Sequence, residues 1–159
     1  MLNIMSELQS VLELSTVHRF SDLVNKKKLF EKVAELLITD SSPTFLRVLD
    51  CLNARERLGS TYIGKGVAIP HCKLDVDSVK SVILVLDKKV KYSDDNEQQV
   101  DIVFALLVPE QNCDQHLHLL SSIARLCEAD SWLDGIRALK SEKEITEYIH
   151  NTKSTMDAG

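Results

Sequence analysis

The side chains best suited to chemistry in this 159-residue chain gather around one stretch, G-S-T-Y-I-G-K-G-V-A-I-P-H-C-K-L, from Gly59 to Leu74. Pro70 fixes its own φ and pushes Ile69 into an extended shape, while the closely spaced glycines open backbone conformations closed to other residues. His71 therefore sits on a stiff extended mount. An irregular, glycine-punctuated loop is where reactive side chains usually stand, so His71 is a candidate nucleophile or ligand; the competing reading is a structural histidine beside a strand. Cys72 as a nucleophile with His71 as its base is a poor pairing, because adjacent residues of an extended segment face opposite ways.

Two other patterns in the chain suggest sites and fail on physical grounds. Gly59, Gly64 and Lys65 satisfy the G-x-x-x-x-G-K of a phosphate-binding loop. That motif needs a Ser or Thr next, with a strand before it and a helix after it. Gly66 fills the hydroxyl position, a helical pattern precedes, and Pro70 forbids a helix across the residues after it. His116 and His118 form H-x-H with Cys113 nearby, which invites a zinc reading. Two residues along a helix rotate by about 200°, so the imidazoles point to opposite sides, and no known zinc spacing is met. His116 falls at the edge of the apolar face, and His118 points to solvent.

The elements that must hold His71 are legible as patterns. A short helix near Ile4 to Gln9 and a short strand near Val17 to Phe20 open the chain. Asn25 is an N-cap for a helix reaching about Thr39, with Leu29, Phe30, Val33, Leu36 and Leu37 on one face. Ser42 and Pro43 start a second helix bearing Phe45, Val48, Leu49 and Leu52; it ends near Arg55, Glu56 and Arg57, where both arginines read as C-terminal caps. Val82–Leu86 and Ile102–Val108 are unbroken apolar runs of strand length, the pattern of strands buried on both faces. The polar segment between them allows a short edge strand at Val90 to Tyr92. Asn112 then caps a helix with Gln115 three residues on, whose core face is Cys113, Leu117, Leu120, Ala124 and Cys127. Two further helices open at Ser131 with Asp134 and at Ser141 with Glu144, the second burying Ile145, Tyr148 and Ile149. Helices interleaved with buried strands make an α/β domain over residues 1–150, with 151–159 as a frayed tail.

Composition narrows the function classes. A hydrophobic content of 44% suits one globular domain, and no run approaches the roughly 18 apolar residues of a membrane span. The first ten residues lack the pattern of a signal peptide, which predicts a cytoplasmic protein without membrane insertion. Four cysteines without a C-x-x-C pair are expected as free thiols there. A net charge of −5 argues against nucleic acid as the main partner.

The run R-E-R-L-G-S-T-Y-I-G-K-G-V-A-I-P-H-C-K, from Arg55 to Lys73, resembles the active-site segment of the enzyme IIA family of the bacterial phosphoenolpyruvate-dependent phosphotransferase system. Within its mannitol/fructose and nitrogen-related branch, the nitrogen-related regulatory type fits best. The resemblance continues through F-A-L-L-V-P (Phe104 to Pro109) and H-L-H-x-L (His116 to Leu120). It implies a single α/β domain whose central mixed sheet is flanked by helices on both faces. It also places phosphoryl acceptance on His71, a second active-site histidine on His116 and the site's arginine on Arg55, with no cofactor and no metal. The donor so implied is a histidine-containing phosphocarrier protein, and the output is binding of downstream regulatory target proteins. Family members usually carry glycine after the active histidine; here it is Cys72.

The residue types suit that chemistry. Neutral imidazole, with an ordinary pKa of about 6.5, is a good nucleophile when a hydrogen bond to one ring nitrogen leaves the other free. Phosphoryl transfer asks mainly for position and positive charge, which Arg55, His116, a helix start and glycine-rich backbone N–H groups offer. The competing functions are a sugar-transport enzyme IIA that passes phosphate to a separate B domain of a permease, and a non-catalytic α/β binding module.

Overall fold

In the computed structural model, which describes residues 4–38, 43–93, 98–111 and 114–152, helices and strands interleave along the chain. Helix α1 (Ile4–Leu14) and strand β1 (Thr16–Phe20) are followed by helices α2 (Lys26–Leu37) and α3 (Phe45–Leu58). Three short strands come next, β2 (Tyr62–Gly64), β3 (Val67–Ala68) and β4 (His71–Leu74), and then two long ones, β5 (Lys80–Lys91) and β6 (Gln99–Pro109). Helices α4 (Asp114–Leu126), α5 (Asp130–Ala138) and α6 (Glu142–His150) complete the order.

The sheet is mixed. β5 and β6 pair antiparallel at its centre, β1 lies parallel to β5, and β3 lies parallel to β6 with β2 antiparallel beyond it. β4 extends the same parallel line along β6, from His71 opposite Leu106 to Leu74 opposite Pro109. The break between β3 and β4 falls at Ile69 and Pro70, where proline has no N–H to give to a ladder. Its carbonyl still accepts from the Leu106 N–H at 3.0 Å.

The two apolar runs are buried on both faces. Along β6, Ile102, Phe104, Leu106 and Val108 pack into one core with α1, α4, α5 and α6, while Val103, Ala105 and Leu107 pack into another with α2 and α3. Each buried Val, Leu, Ile or Phe side chain among them contributes roughly 1.5–3 kcal/mol by its removal from water. The helices are held at their starts as their sequences predict in two cases. Asn25 Oδ1 accepts the Lys28 N–H at 2.8 Å, and Ser141 Oγ accepts the Glu144 N–H at 3.1 Å.

Several element assignments need correction. α1 runs on to Leu14, well past Gln9. Val90 and Lys91 are not an edge strand but the end of central β5, which resumes pairing with β6 after an irregularity between Val85 and Val90. The helix placed at Ser42 and Pro43 starts later: Thr44 is its N-cap, with Oγ1 accepting from the Arg47 N–H, and Phe45 is partly exposed. α5 is capped by Ala129 without a side-chain bond, rather than by Ser131. Among the described side chains of α4 the fully buried ones are Leu119 and Ile123, with Leu120 and Ala124 beside them. Asn112 and Cys113, the side chains of Gln115 and Leu117, and the tail from residue 153 lie outside the described residues.

Candidate functional site

His71 is the first residue of β4, so the glycine-rich stretch is a set of short strands rather than an irregular loop. The turn from β2 to β3 explains the glycines: Gly64 and Gly66 take φ of 103° and 80°, and Lys65 between them also has positive φ. That turn is clamped from α5. Arg137 donates to both carboxylate oxygens of Asp101 at 2.8 and 2.9 Å and to the Lys65 carbonyl. Lys65 itself reaches the Glu128 carbonyl and the Asp130 carboxylate, each at 2.7 Å.

The imidazole of His71 is half-buried, and its Nδ1 lies 2.8 Å from the Ile69 carbonyl oxygen. A carbonyl can only accept, so Nδ1 carries the proton. Nε2 then keeps its lone pair and has no hydrogen-bond partner among the described residues. Burial is the largest influence on the ring and pushes its pKa below the ordinary 6.5; the Ile69 carbonyl pulls the other way, and the Arg55 cation disfavours a second positive charge. Neutral His71 is therefore the form present at pH 7.

The mount of this ring continues into a chain of hydrogen bonds that sequence reasoning did not find. The Ile69 N–H donates to the Thr61 carbonyl at 2.9 Å. Thr61 is in turn held by Glu56, whose carboxylate accepts from the Thr61 N–H at 2.9 Å and from its hydroxyl at 2.7 Å. With its single proton given to Glu56, the Thr61 hydroxyl accepts from the Tyr92 phenol at 2.6 Å, and Tyr92 is 1% exposed. Glu56 also faces Lys26 at 3.8 Å. The end of α3, the strand core and the backbone that orients His71 are thus one connected unit. The available signal was Glu56 itself, a carboxylate five residues before a threonine at a helix end.

His71 opens on a cleft of about 250 Å³ lined by Arg55 and Ser60, by Thr61, Ile63 and Ile69, and by Leu120, Ser121 and Ala124 of α4. Arg55 and His71 are brought to the same cleft. Arg55 also donates to the Gly59 carbonyl at 2.8 Å, as the capping reading expects, while it lines the cleft. His116 is not in that lining. It stands one turn before Leu120 on α4, half-buried, with Nδ1 3.3 Å from a carboxylate oxygen of Glu7 on α1. His118 is exposed. Among the described residues no group of three or more histidines, cysteines and acidic residues is placed to hold a metal ion. No described helix is long and apolar enough to cross a membrane.

Such a site offers one uncharged ring nitrogen, a nearby guanidinium and room for a small anion. That combination suits acceptance of a phosphoryl group, in which the protein supplies position and positive charge.

The chain's similarities agree with that chemistry. Residues 10–152 match the family described as "Phosphoenolpyruvate-dependent sugar phosphotransferase system, EIIA 2". A protein of Escherichia coli strain K12 named "Nitrogen regulatory protein" is 33% identical over 153 residues, which are 95% of this chain and 94% of that one. The crystal structure of the nitrogen regulatory protein IIA-Ntr from Neisseria meningitidis superposes with a TM-score of 0.79 at 31% identity, covering 91% of this chain and 99% of that chain. The fold is shared with the mannitol IIA of Escherichia coli, at a TM-score of 0.68 and 18% identity over 83% of this chain and 94% of that one.

Proposed function

Because the chain belongs to the EIIA 2 family of the phosphoenolpyruvate-dependent sugar phosphotransferase system, we propose that it is a cytoplasmic phosphoryl carrier that accepts its phosphoryl group on Nε2 of His71. The donor is a histidine-containing phosphocarrier protein. The phosphorus–nitrogen bond of the donor breaks as the bond to Nε2 forms, while Nδ1–H stays on the Ile69 carbonyl and Arg55 faces the incoming charge. The observation that carries this reading is the Nδ1 contact at 2.8 Å with the Ile69 carbonyl, which favours the Nδ1–H tautomer and so supports Nε2 as the nucleophile.

The output we propose is regulatory. A phosphoryl group adds roughly −1.5 to −2 charges, enough to change which protein surfaces the cleft attracts. Lys65 is occupied by Asp130, so the cations left to feel the change at His71 are Arg55 and Lys73. The nitrogen-regulatory names of the similar proteins favour this output over sugar transport.

Reconstitution with phosphoenolpyruvate, enzyme I and the phosphocarrier tests the proposal. Wild-type protein should gain one acid-labile, alkali-stable phosphoryl group, and His71→Ala none. Uptake by His71→Ala would refute the assignment. Rapid onward transfer to a sugar-specific B domain, with wild type and His71→Asp capturing the same partners, would make the protein a transport component instead.

A further inference from the structure

Cys51 and Cys72 stand together behind the site. Cys51 lies on α3, four residues and so about one turn before Arg55. Cys72 lies on β4 directly after His71 and is 3% exposed. The Cys51 sulfur donates to the carbonyl of Lys73, the residue after Cys72, at 3.3 Å, and Cys51 packs against the buried cluster that contains Cys72. Both are free thiols, and Cys51 is the more exposed of the two.

We propose that Cys51 and Cys72 are a modification site, a thiol pair that hydroperoxides convert reversibly to a disulfide joining α3 to β4. Cys51 attacks first, since it is the sulfur that solvent reaches. Its thiolate displaces hydroxide from hydrogen peroxide; the O–O bond breaks, the hydroxide takes up a proton to leave as water, and Cys51 becomes the sulfenic acid. The Cys72 sulfur then attacks Cys51. The S–S bond forms, the S–OH bond breaks, and the Cys72 proton leaves with the hydroxide as a second water. Two electrons pass from the two thiols to the peroxide.

The environment divides these roles in the same way. The hydrogen bond from Cys72 lowers the pKa of Cys51 below its ordinary value, while that bond and burial raise the pKa of Cys72. Thiolate character is what makes a cysteine nucleophilic, so the accessible sulfur is also the activated one.

The covalent tie would connect the turn that carries Arg55 to the residue next to His71. A shift of about 1 Å between groups that must act together can cost about 10²-fold in rate. This consequence rests on the phosphoryl-carrier reading, whereas the disulfide does not.

The experiment is titration of the full chain with hydrogen peroxide, with intact mass, peptide mapping and phosphoryl uptake from the phosphocarrier as readouts. Wild type should lose two hydrogens, with the cross-link mapped to Cys51 and Cys72, and dithiothreitol should restore the dithiol. Cys51→Ser and Cys72→Ala should each fail to form that cross-link, and circular dichroism of both reports whether they remain folded. Uptake by the oxidised protein should fall about 10- to 100-fold and return on reduction. A cross-link to another cysteine, or oxidation of Cys51 with no cross-link, would overturn the site. A Cys51–Cys72 disulfide with unchanged uptake would overturn its effect on transfer. Reduced protein that takes up no phosphate would count against the carrier reading and leave the disulfide result standing.

Discussion

Replacing Thr61 with valine removes one hydroxyl from the unit behind His71 while keeping the shape of the side chain. The hydroxyl bonds Glu56 at 2.7 Å and Tyr92 at 2.6 Å, and the residue is 5% exposed. In Thr61→Val the Tyr92 phenol loses the Thr61 hydroxyl as a partner at a site that is 1% exposed. An unsatisfied buried group costs about 1–3 kcal/mol. For a chain of this size each kcal/mol moves Tm by about 2–4 °C, so Tm should fall by about 2–12 °C. The Thr61 N–H still bonds Glu56, and the Thr61 carbonyl still holds the Ile69 N–H. The fold should therefore survive, and loss of phosphoryl uptake should stay below the about 10²-fold expected for a 1 Å displacement. Thermal unfolding and urea titration measure the first effect, and single-turnover phosphorylation the second. Adding Tyr92→Phe should restore most of the lost stability, because removing both partners is nearly neutral. Unchanged Tm in Thr61→Val, or a further full loss on adding Tyr92→Phe, would refute the reasoning.

The same geometry sets the outcome of other perturbations. The acid limb of uptake by wild type should have its midpoint below the ordinary imidazole value of about 6.5, and Arg55→Met should both slow uptake and raise the pKa of His71, read by NMR titration of the ring. Because the folded pKa of His71 is the lower one, the unfolded chain binds its proton first as pH drops below 6.5. The His71 contribution is thus present in full above that value and lost below it, so wild type should lose stability relative to His71→Gln on acidification. His116→Ala should slow transfer several-fold to about 10³-fold and His118→Ala far less, the range for loss of one preorganised donor; equal effects would contradict a role for His116. Gly66→Ala should cost about 1–2 kcal/mol in urea titration, since its φ is 80° and a Cβ would come within 2.8 Å of Arg137 Nη2.

Much of the fold was readable because its strongest constraint is apolar. Val82–Leu86 and Ile102–Val108 could only be strands buried on both faces, and both are. The sheet's short strands were not readable. β3 has two residues, and its pairing comes from β6, far along the chain, rather than from local pattern. The polar residues at the end of β5 read as a loop for a related reason: only the partner Val100 places Val90 in the sheet. His71 stood out through its proline and glycines, and Arg55 through its motif, and both line one cleft. What stayed hidden was the support beneath them. Glu56 looked like one of three charged residues closing a helix, and its bond to Thr61 depends on how the chain turns after Gly59. Cys51 carried no spacing signal at all, since its partner is across the packing of α3 on β4.

The central claim is that Nε2 of His71 is the atom that takes the phosphoryl group. Protein labelled with 15N at histidine and phosphorylated by the phosphocarrier should show phosphorus coupling to Nε2 of His71, with Nδ1 still protonated and bonded to the Ile69 carbonyl. Coupling to Nδ1, or to a nitrogen of any other histidine, would contradict the account.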